Sequence, residues 1–340
     1  MFVNIGILGA GSWAIALSVL LRGRGHGIRM WEFNADDALM LRTRREHSVK
    51  LPGIRIPDDV VITNSISEIF ENAEYIVCVV PSQTMRSTLK LVASSVAPAK
   101  LAAIDGWIIA SKGIECGTLK LMSEVLMEEI AGLKEEKVVV LSGPSHAEEV
   151  SRGIPTTVVA AAKSPALAIK IQQEFSTETF RIYTNTDVAG VELAASVKNV
   201  IALAAGISDG LGLGDNTKGA LLTRGMVEMI RLGKEMGAEE QTFFGLAGIG
   251  DLITTCISRH SRNRKMGELI ASGLSLKEAL GKMVMVAEGV ETTKSVYQLA
   301  KKFGIEMPIT VEVYKALFEN ESPKHAIKNH MMRQFRPERW

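Results

Sequence analysis

A glycine-rich loop near the start of the chain is the first stretch whose residue types and spacing could do chemistry. Gly9, Gly11 and Ala14 form the pattern G-x-G-x-x-A, directly after an apolar run and directly before a helical pattern. In such a loop the first glycine permits a tight turn, and the second lets the backbone approach a pyrophosphate. The small third residue lets helix and strand pack closely. Because a helix N-terminus also attracts anions, the loop predicts a dinucleotide site.

An acidic residue after the next strand pattern supports this prediction. Glu32 lies roughly 20 residues beyond the loop, where an acid can accept hydrogen bonds from the adenosine ribose. The alternative is a solvated charge at the end of a strand.

Two lysines have positions that suit acid–base chemistry. Lys198 shares one face of a helical pattern with Val191, Ala195 and Ala202. It can act as a base if burial or a nearby cation lowers its pKa, or it can simply extend to solvent. Lys112 follows a predicted strand, and the carboxyl ends of parallel strands face the ligand crevice. Lys112 is therefore a candidate for the nearby cation, or else a surface lysine in a loop.

A polar triplet offers a phosphate site. Ser261, Arg262 and Asn263 supply a hydroxyl, a forked guanidinium and an amide at a predicted helix start. Arginine can hold a phosphate through two bonds, and the helix dipole adds to the attraction. A basic run at a helix start is otherwise simply solvated.

The elements that must position these residues divide the chain in two. Short apolar runs alternate with helical patterns in the first half, which predicts a parallel, doubly wound α/β sheet. The strand candidates are residues 3–8, 27–31, 75–80, 101–110, 137–141, 156–161 and 180–183. Helices are predicted between most of them, including residues 12–22, 84–97 and 120–130.

From about residue 187 onward the pattern is helical. Helices are predicted over residues 188–205, 218–236, 262–272, 290–303 and 309–319, with glycine-rich loops at GISDGLGLGDN and GLAGIGD. The many small residues of the first helix predict close packing against its neighbours. The expected layout is a Rossmann-type domain over residues 1–187 and an all-helical substrate domain over residues 188–340, with a cleft between them.

Composition narrows the choice of partner and compartment. The 340 residues are 46% hydrophobic with a formal net charge of +1, which argues against a nucleic-acid or anionic-membrane surface as the main partner. The three cysteines have no metal-binding spacing, and no disulfide or metal site is expected. No basic residue precedes Arg22, so a signal peptide is not indicated, and no stretch is expected to cross a bilayer. We expect a cytoplasmic protein.

Longer motifs carry a family resemblance. They are GAGSWAIAL, VVPSQTMR, SKGIE, LSGPSHAEEV, the run from Val191 to Gly225, GLAGIGDLITTCISRHSRNRKMG and VAEGVETTK. In this order they closely resemble the bacterial NAD(P)-dependent glycerol-3-phosphate dehydrogenases, from about residue 3 to residue 320. The resemblance implies a Rossmann-type domain followed by a helical domain. It also implies reversible hydride transfer between nicotinamide and C2 of sn-glycerol 3-phosphate, giving dihydroxyacetone phosphate and, in reverse, supplying phospholipid synthesis. A cytoplasmic homodimer is the family expectation.

The resemblance also implies roles for individual residues. The motif E-L-x-x-x-x-K-N-V makes Lys198 the proton acceptor, with Lys112 and Asp251 completing the catalytic set. Asp251 could orient Lys198 or a substrate hydroxyl. The implied substrate contacts are Lys112, Gly143, Ser145, Lys198, Asp251, Ser261, Arg262 and Asn263. The implied cofactor contacts, beyond the glycine loop, Glu32 and Phe33, are Ser12, Trp13, Lys112, Ala147, Arg262, Val286 and Glu288.

One residue departs from the family pattern. Many relatives have an aromatic residue where this chain has His146, and we interpret His146 as a local variant rather than a catalytic base.

Two alternatives remain on the sequence alone. A β-hydroxyacid dehydrogenase shares the layout and would also use a lysine on the long helix, although the S-R-N triplet and GPSHAEE favour the glycerol phosphate enzyme. A dinucleotide-sensing protein would keep the glycine loop but would not need Lys112, Lys198 and Arg262 together.

The residues after the second strand bear on the choice of nicotinamide. Relatives that use NADPH tend to carry arginine or histidine there, whereas this chain has Glu32 and Phe33. A carboxylate repels an adenosine 2′-phosphate and accepts bonds from a free 2′-hydroxyl. We therefore expect NAD(H) or NADP(H) as cofactor with a preference for NADH, although Arg24 and Arg55 could reach a 2′-phosphate.

Overall fold

The computed structural model describes residues 2–332, 334–335 and 337–338. The described residues form one eight-stranded sheet, whose strands are β1 Asn4–Leu8, β2 Gly27–Trp31, β3 Val61–Thr63, β4 Tyr75–Cys78, β5 Gly106–Ile109, β6 Val138–Ser142, β7 Thr156–Ala161 and β8 Phe180–Asn185. The strand order is β3-β2-β1-β4-β5-β6-β7-β8. This order confirms the predicted Rossmann-type doubly wound sheet, in which β1 lies between β2 and β4.

The helices of the first half alternate with the strands, and those of the second half follow β8 along the chain. In the first half they are α1 Ser12–Gly23, α2 Ala35–Arg44, α3 Met85–Ser95, α4 Pro98–Ala103, α5 Met122–Glu129, α6 Ala147–Val150 and α7 Pro165–Phe175. The second half contains α8 Val188–Gly210, α9 Asp215–Glu235, α10 Glu240–Phe243, α11 Asp251–Ile257, α12 Arg262–Ala271, α13 Leu276–Gly281, α14 Glu288–Phe303, α15 Pro308–Phe318 and α16 Pro323–Met331.

The apolar runs of the central strands reflect burial on both faces of the sheet. Every residue of β4, β5 and β6 is buried. Neighbouring residues such as Ile76 and Val77 belong to the apolar clusters on opposite faces. At the edge of the sheet, β8 alternates between buried and exposed residues, as expected for a strand covered on one side.

One strand pair departs from the predicted parallel arrangement. Strands β6 and β7 pair antiparallel, with Leu141 opposite Ala160. The segment that joins them contains only the four-residue helix α6, whereas the crossover of a parallel pair is usually built around a longer α-helix.

The predicted strand over residues 101–110 is wrong in its first part. Residues 98–103 form α4, which begins at Pro98, and β5 starts only at Gly106. Proline is favoured in the first helical turn, and the following alanines, lysine and leucine are strong helix formers. The predictions also missed β3, a strand of three residues at the edge of the sheet.

The two predicted glycine-rich loops are partly helical. Residues 206–210 belong to α8, and only the residues between α8 and α9 form a loop. GLAGIGD forms a π-type turn over Leu246–Gly250 that leads directly into α11. Gly248 makes this tight turn possible, because a Cβ atom there would lie 1.9 Å from the carbonyl oxygen of Phe243.

Helix α8 is the central element of the second half. Its close packing is confirmed at Gly206, where a Cβ atom would lie 1.9 Å from the backbone oxygen of Arg264 in α12. The expectation that no stretch could cross a bilayer is wrong by length and composition, because α8 meets both criteria. However, 89% of its apolar window is buried inside the fold, as in the core helix of a globular domain.

The predicted boundary falls between β8, which ends at Asn185, and α8, which begins at Val188. Asp187 is the N-cap of α8, and its side chain accepts a hydrogen bond from the amide of Gly190. The predicted second domain runs to residue 340, and residues 333, 336, 339 and 340 lie outside the described residues.

Candidate active site

A cavity of about 710 Å³ is lined by both the glycine loop and helix α8. All the predicted site residues line it except Ala14 and Gly143. Those that do are Gly9, Gly11, Ser12, Trp13, Glu32, Phe33, Lys112, Ser145, Ala147, Lys198, Asp251, Ser261, Arg262, Asn263, Val286 and Glu288. Residues distant in sequence therefore meet at one place, which fits the cleft expected between the two halves.

The glycine loop has the geometry that a phosphate group needs. Gly9 has φ +117, a conformation that favours glycine, and a Cβ atom there would lie 3.3 Å from the backbone of Val79. Gly11 is the N-cap of α1, and no side chain caps the first turn of the helix. A Cβ atom on Gly11 would meet nothing within 4 Å, so the space above the helix N-terminus is open. The uncapped amides and this open space fit a pyrophosphate.

The residues after β2 form the wall of the cavity next to the loop. Phe33 is 77% exposed, so its ring is available for stacking. Glu32 Oε1 accepts a hydrogen bond from the Asn34 amide at 3.1 Å. Lys50 is the cation that lines the cavity here, and no signal in the sequence indicated it.

The two cations considered from the sequence face other partners. The Arg24 side chain donates to the backbone oxygen of Gln173, and Arg55 pairs with Asp58. Neither lines the cavity.

At the opposite end, one carboxylate holds two lysines. Lys198 Nζ lies 2.8 Å from Asp251 Oδ1, and Lys112 Nζ lies 2.8 Å from Asp251 Oδ2. Lys112 also donates to the backbone oxygen of Gly143 at 3.1 Å. The three side chains come from α8, from the start of α11 and from the loop after β5. Of the two orientations considered for Asp251, the structure has the one toward Lys198.

Burial and charge set the ionisation of this group. Burial lowers the pKa of Lys198 to about 8; Asp251 opposes the shift and Lys112 adds to it. Lys112 is therefore a nearby cation, although burial is the larger cause. Burial alone would raise the pKa of Asp251, but the two lysines outweigh it and hold that pKa below its usual value. The cluster carries one net positive charge while Lys198 is protonated, which suits an anionic ligand.

The polar triplet stands at the start of α12, as predicted. Ser261 Oγ accepts from the Arg264 amide at 3.2 Å, which makes Ser261 the N-cap of the helix. The Arg262 side chain has no ion pair among the described residues, and it lines the cavity. Arg264, two residues further along the helix, instead forms ion pairs with Asp209 and Glu268. Arg262 is thus the arginine positioned for an incoming anion.

The Asn263 amide has a structural partner on each side. Its Nδ2 donates to Asn199 Oδ1 at 2.8 Å, and its Oδ1 accepts from the Gly289 amide at 2.9 Å. It therefore ties α12 to α8 and α14, and it has one remaining Nδ2 hydrogen to offer a ligand.

Glu288 is used in a similar way. Its carboxylate accepts from the Ser82 amide at 3.1 Å and from Ser82 Oγ at 2.5 Å. This contact joins the start of α14 to the segment after β4. Val286 is 51% exposed on the same wall, so it is available for contact with a bound cofactor.

Two predicted residues support the cavity from behind. Ala14 is buried under the glycine loop, in agreement with its expected packing role. Gly143 has φ +140, and a Cβ atom there would lie 2.9 Å from Val158 Cα. Its carbonyl oxygen also accepts from Ser145 Oγ at 3.0 Å, so Gly143 positions Lys112 and Ser145.

Besides Lys50, sequence reasoning missed other polar residues of the site, including Thr255 and His260. Thr255 Oγ1 accepts from Lys198 Nζ at 2.5 Å and donates to Asp251 Oδ1 at 3.1 Å. Its position four residues after Asp251 on one helix face was a usable signal. His260 also lines the cavity, directly before the polar triplet.

The residues present fit a nicotinamide dinucleotide. The glycine loop and the N-terminus of α1 would hold the pyrophosphate, Glu32 and Phe33 would face the adenosine, and the nicotinamide would point toward Lys198. When bound, the nicotinamide ring accepts a hydride from a carbinol carbon or returns one to a carbonyl carbon. No group of three or more His, Cys, Asp or Glu side chains able to hold a metal ion occurs in the described part of the chain.

This geometry defines a nicotinamide-dependent dehydrogenase of the Rossmann class with a helical C-terminal domain. Comparison with protein families gives the particular one. Residues 4–168 match the model of the NAD-dependent glycerol-3-phosphate dehydrogenase N-terminus, and residues 187–328 match that of its C-terminus. The chain belongs to the glycerol-3-phosphate dehydrogenase family, which confirms the resemblance carried by the motifs.

Individual relatives are similar to the chain over nearly its full length. It is 48% identical to glycerol-3-phosphate dehydrogenase (NAD(P)+) of Pelodictyon phaeoclathratiforme over 337 residues, covering 99% of this chain and 100% of the relative. The enzyme of the same name from Chlorobium phaeobacteroides strain BS1 is 49% identical over 333 residues, covering 98% of each chain. The crystal structure of glycerol-3-phosphate dehydrogenase from Coxiella burnetii has a TM-score of 0.92 and 35% identity, covering 98% of this chain and 99% of that one.

Proposed function

We propose that the chain interconverts sn-glycerol 3-phosphate and dihydroxyacetone phosphate with NAD(P) as hydride carrier. The observation that carries the proposal is the buried Lys198–Asp251–Lys112 group, which shares one cavity with an open glycine loop. Family membership supplies the substrate, and the reaction would provide glycerol 3-phosphate for phospholipid synthesis.

Lys198 is the proposed proton acceptor. In the oxidation, Lys198 Nζ would take the proton of the C2 hydroxyl, and a bound nicotinamide would supply the hydride acceptor. A base works best when its pKa lies near the working pH, and burial brings Lys198 to about 8. Asp251 and Thr255 hold the ammonium in place, and Lys112 adds a positive charge beside the developing oxyanion.

The phosphate of the substrate is assigned to the start of α12. Arg262 offers a guanidinium without an ion pair among the described residues, and Ser261 retains a hydroxyl hydrogen to donate. The amides of the helix N-terminus add to the attraction for a dianion. Ser145 and the remaining Asn263 hydrogen complete the proposed substrate contacts.

We further propose NADH as the preferred cofactor. Glu32 would repel a 2′-phosphate and bind a free 2′-hydroxyl, and Phe33 would stack beside the adenine. Lys50 is the described cation on this wall that could offset Glu32, so the preference is expected to be partial.

The proposal includes the cellular setting and the assembly. Free thiols at Cys78, Cys116 and Cys256 suit the reducing cytoplasm. The expected homodimer is supported by exposed isoleucines at 249, 253 and 257, which follow one another at four-residue spacing through the turn before α11 and along α11. The two domains are proposed to divide at residue 187.

A direct assay of NADH and NADPH oxidation tests the proposal. Purified chain should oxidise NADH and NADPH in the presence of dihydroxyacetone phosphate, with higher kcat/KM for NADH. Turnover of a β-hydroxyacid but not of the triose phosphate would assign the chain to the other dehydrogenase class. Dinucleotide binding without turnover of either substrate would indicate a sensing protein.

A further inference from the structure

His146 has a position in the site that its family resemblance does not explain. It is the N-cap residue of α6, a few residues after the end of β6, and it lines the cavity. Its Nε2 atom is buried and has no hydrogen-bond partner among the described residues. Buried polar atoms are nearly always paired, so an unpaired one on a cavity wall calls for a ligand or a water. An aromatic residue at this position would leave no such atom.

The surroundings of His146 keep its ring neutral. The groups that face it are Lys198 from α8, Asp251 from α11, Lys112 from the loop after β5, and His260 before α12. Burial, together with the lysines, lowers the pKa of His146 to about 4. The imidazole therefore has one donor and one acceptor nitrogen throughout the neutral pH range, and it does not compete with Lys198 for a proton.

His146 also spans the two parts of the site assigned to the substrate. Its ring lies 5.8 Å from the His260 ring, centroid to centroid, and His260 immediately precedes Ser261 at the phosphate end. The lysines and Asp251 of the reacting end also lie close enough to His146 to shift its pKa.

The substrate has three polar groups, and two of them already have charged partners. The phosphate is assigned to Arg262 and the C2 oxygen to Lys198. The remaining group is the terminal C1 hydroxyl, which is neutral and needs a neutral partner that can donate or accept. His146 offers such a partner in the same cavity as Arg262 and Lys198.

We propose that His146 hydrogen-bonds the C1 hydroxyl of the substrate and selects a hydroxymethyl ketone over a methyl ketone. This inference rests on the proposed function. It makes His146 a specificity-determining residue of this chain, with no part in the proton transfer itself.

A comparison of two substrates and three variants tests the inference. The substrates are dihydroxyacetone phosphate and acetol phosphate, in which a methyl group replaces the C1 hydroxymethyl group. His146→Phe removes the hydrogen bond and supplies an aromatic residue. It should lower kcat/KM for dihydroxyacetone phosphate about threefold to tenfold, the range of one neutral hydrogen bond, and change that for acetol phosphate less than twofold.

Two further variants separate hydrogen bonding from packing. His146→Gln keeps a donor and an acceptor and should retain most of the preference for the hydroxymethyl ketone. His260→Phe, a matched change on the neighbouring ring, should leave the ratio of the two kcat/KM values unchanged.

Two results would overturn the inference. One is an unchanged ratio of the two kcat/KM values in His146→Phe, whether both values fall equally or neither falls. The other is loss of the preference for the hydroxymethyl ketone in His146→Gln. Failure of the proposed function is a different result, because the parent protein would then reduce neither ketone phosphate.

Discussion

The two ends of the cavity are built in opposite ways. At the nucleotide end, the glycine loop and the residues after β2 lie close together in sequence, and Phe33 and Val286 are exposed there. At the reacting end, Lys198 and Asp251 are almost completely buried and come from separate helices. The nucleotide end is therefore an exposed surface, and the reacting end is a buried group of paired charges.

This difference has a consequence for how each end responds to change. Buried charges interact strongly because little water screens them, so removing one member disturbs the others. Charges at an exposed end act more independently and are weakened by salt. Substitutions at the reacting end should therefore have the larger effects, and those at the nucleotide end should mainly change preference.

The largest effect is expected from Lys198→Ala. Loss of the proton acceptor should lower turnover about 10²–10⁴-fold while nicotinamide binding remains nearly intact. Steady-state kinetics and dinucleotide titration measure the two quantities. Lys198→Arg is the matched variant, since it keeps the positive charge but cannot release its proton, and it should be as impaired. Turnover within tenfold of the parent protein in either variant would remove Lys198 from the proton-transfer role.

A smaller loss is expected at the phosphate end. Arg262→Ala should raise the KM for dihydroxyacetone phosphate about 10- to 100-fold, which corresponds to roughly 1.5–3 kcal/mol for a charge-assisted contact. The KM for the cofactor should change far less. Arg259→Ala, at an exposed neighbouring position that does not line the cavity, is the control. An unchanged substrate KM would show that the phosphate binds elsewhere.

At the nucleotide end we expect a change of preference rather than a loss of activity. Combining Glu32→Ser with Phe33→Arg removes a repulsive carboxylate and adds a cation for the 2′-phosphate. The ratio of kcat/KM for NADPH to that for NADH should rise by about tenfold or more at constant salt. The two single variants separate these contributions. A parent protein that already prefers NADPH would mean that Lys50 dominates this wall.

The smallest change concerns the hydroxyl that holds Lys198. Thr255→Val keeps the shape of the side chain and removes its hydrogen bonds to Lys198 and Asp251. Turnover should fall about threefold to tenfold, the range of one hydrogen bond, with no change in the cofactor KM. An effect as large as that of Lys198→Ala would give Thr255 a direct part in the chemistry.

The same contrast explains what the sequence could predict. The glycine loop was recognisable because G-x-G-x-x-A and Glu32 belong to one continuous unit of strand, loop, helix and strand. The pairing of Lys198 and Lys112 on Asp251 depends on three separate elements. The place of Lys112 after a strand made it a candidate for the cation near Lys198, and only the family resemblance added Asp251. The local pattern around Lys198 left both its buried and its solvated interpretation open.

The errors in the fold have both local and non-local causes. The antiparallel direction of β7 accompanies a connection that lacks a long helix, and the first part of the predicted strand over residues 101–110 is helical because Pro98 starts a helix. GLAGIGD resembled a loop because of its glycines, but Gly248 permits the tight turn that places Asp251 at the start of α11. Cations such as Lys50 reach the cavity through the path of the chain, which no local pattern encodes.

The pH dependence of turnover tests the central claim, that Lys198 exchanges the substrate proton, most directly. Lys198 must be neutral to accept a proton from glycerol 3-phosphate, and its pKa is lowered to about 8. The rate of oxidation should therefore rise about tenfold per pH unit below pH 8 and level off above it. Reduction of dihydroxyacetone phosphate needs protonated Lys198, so its rate should be level below pH 8 and fall above it. Profiles with no break near pH 8, or with breaks in the same direction for both reactions, would contradict the account.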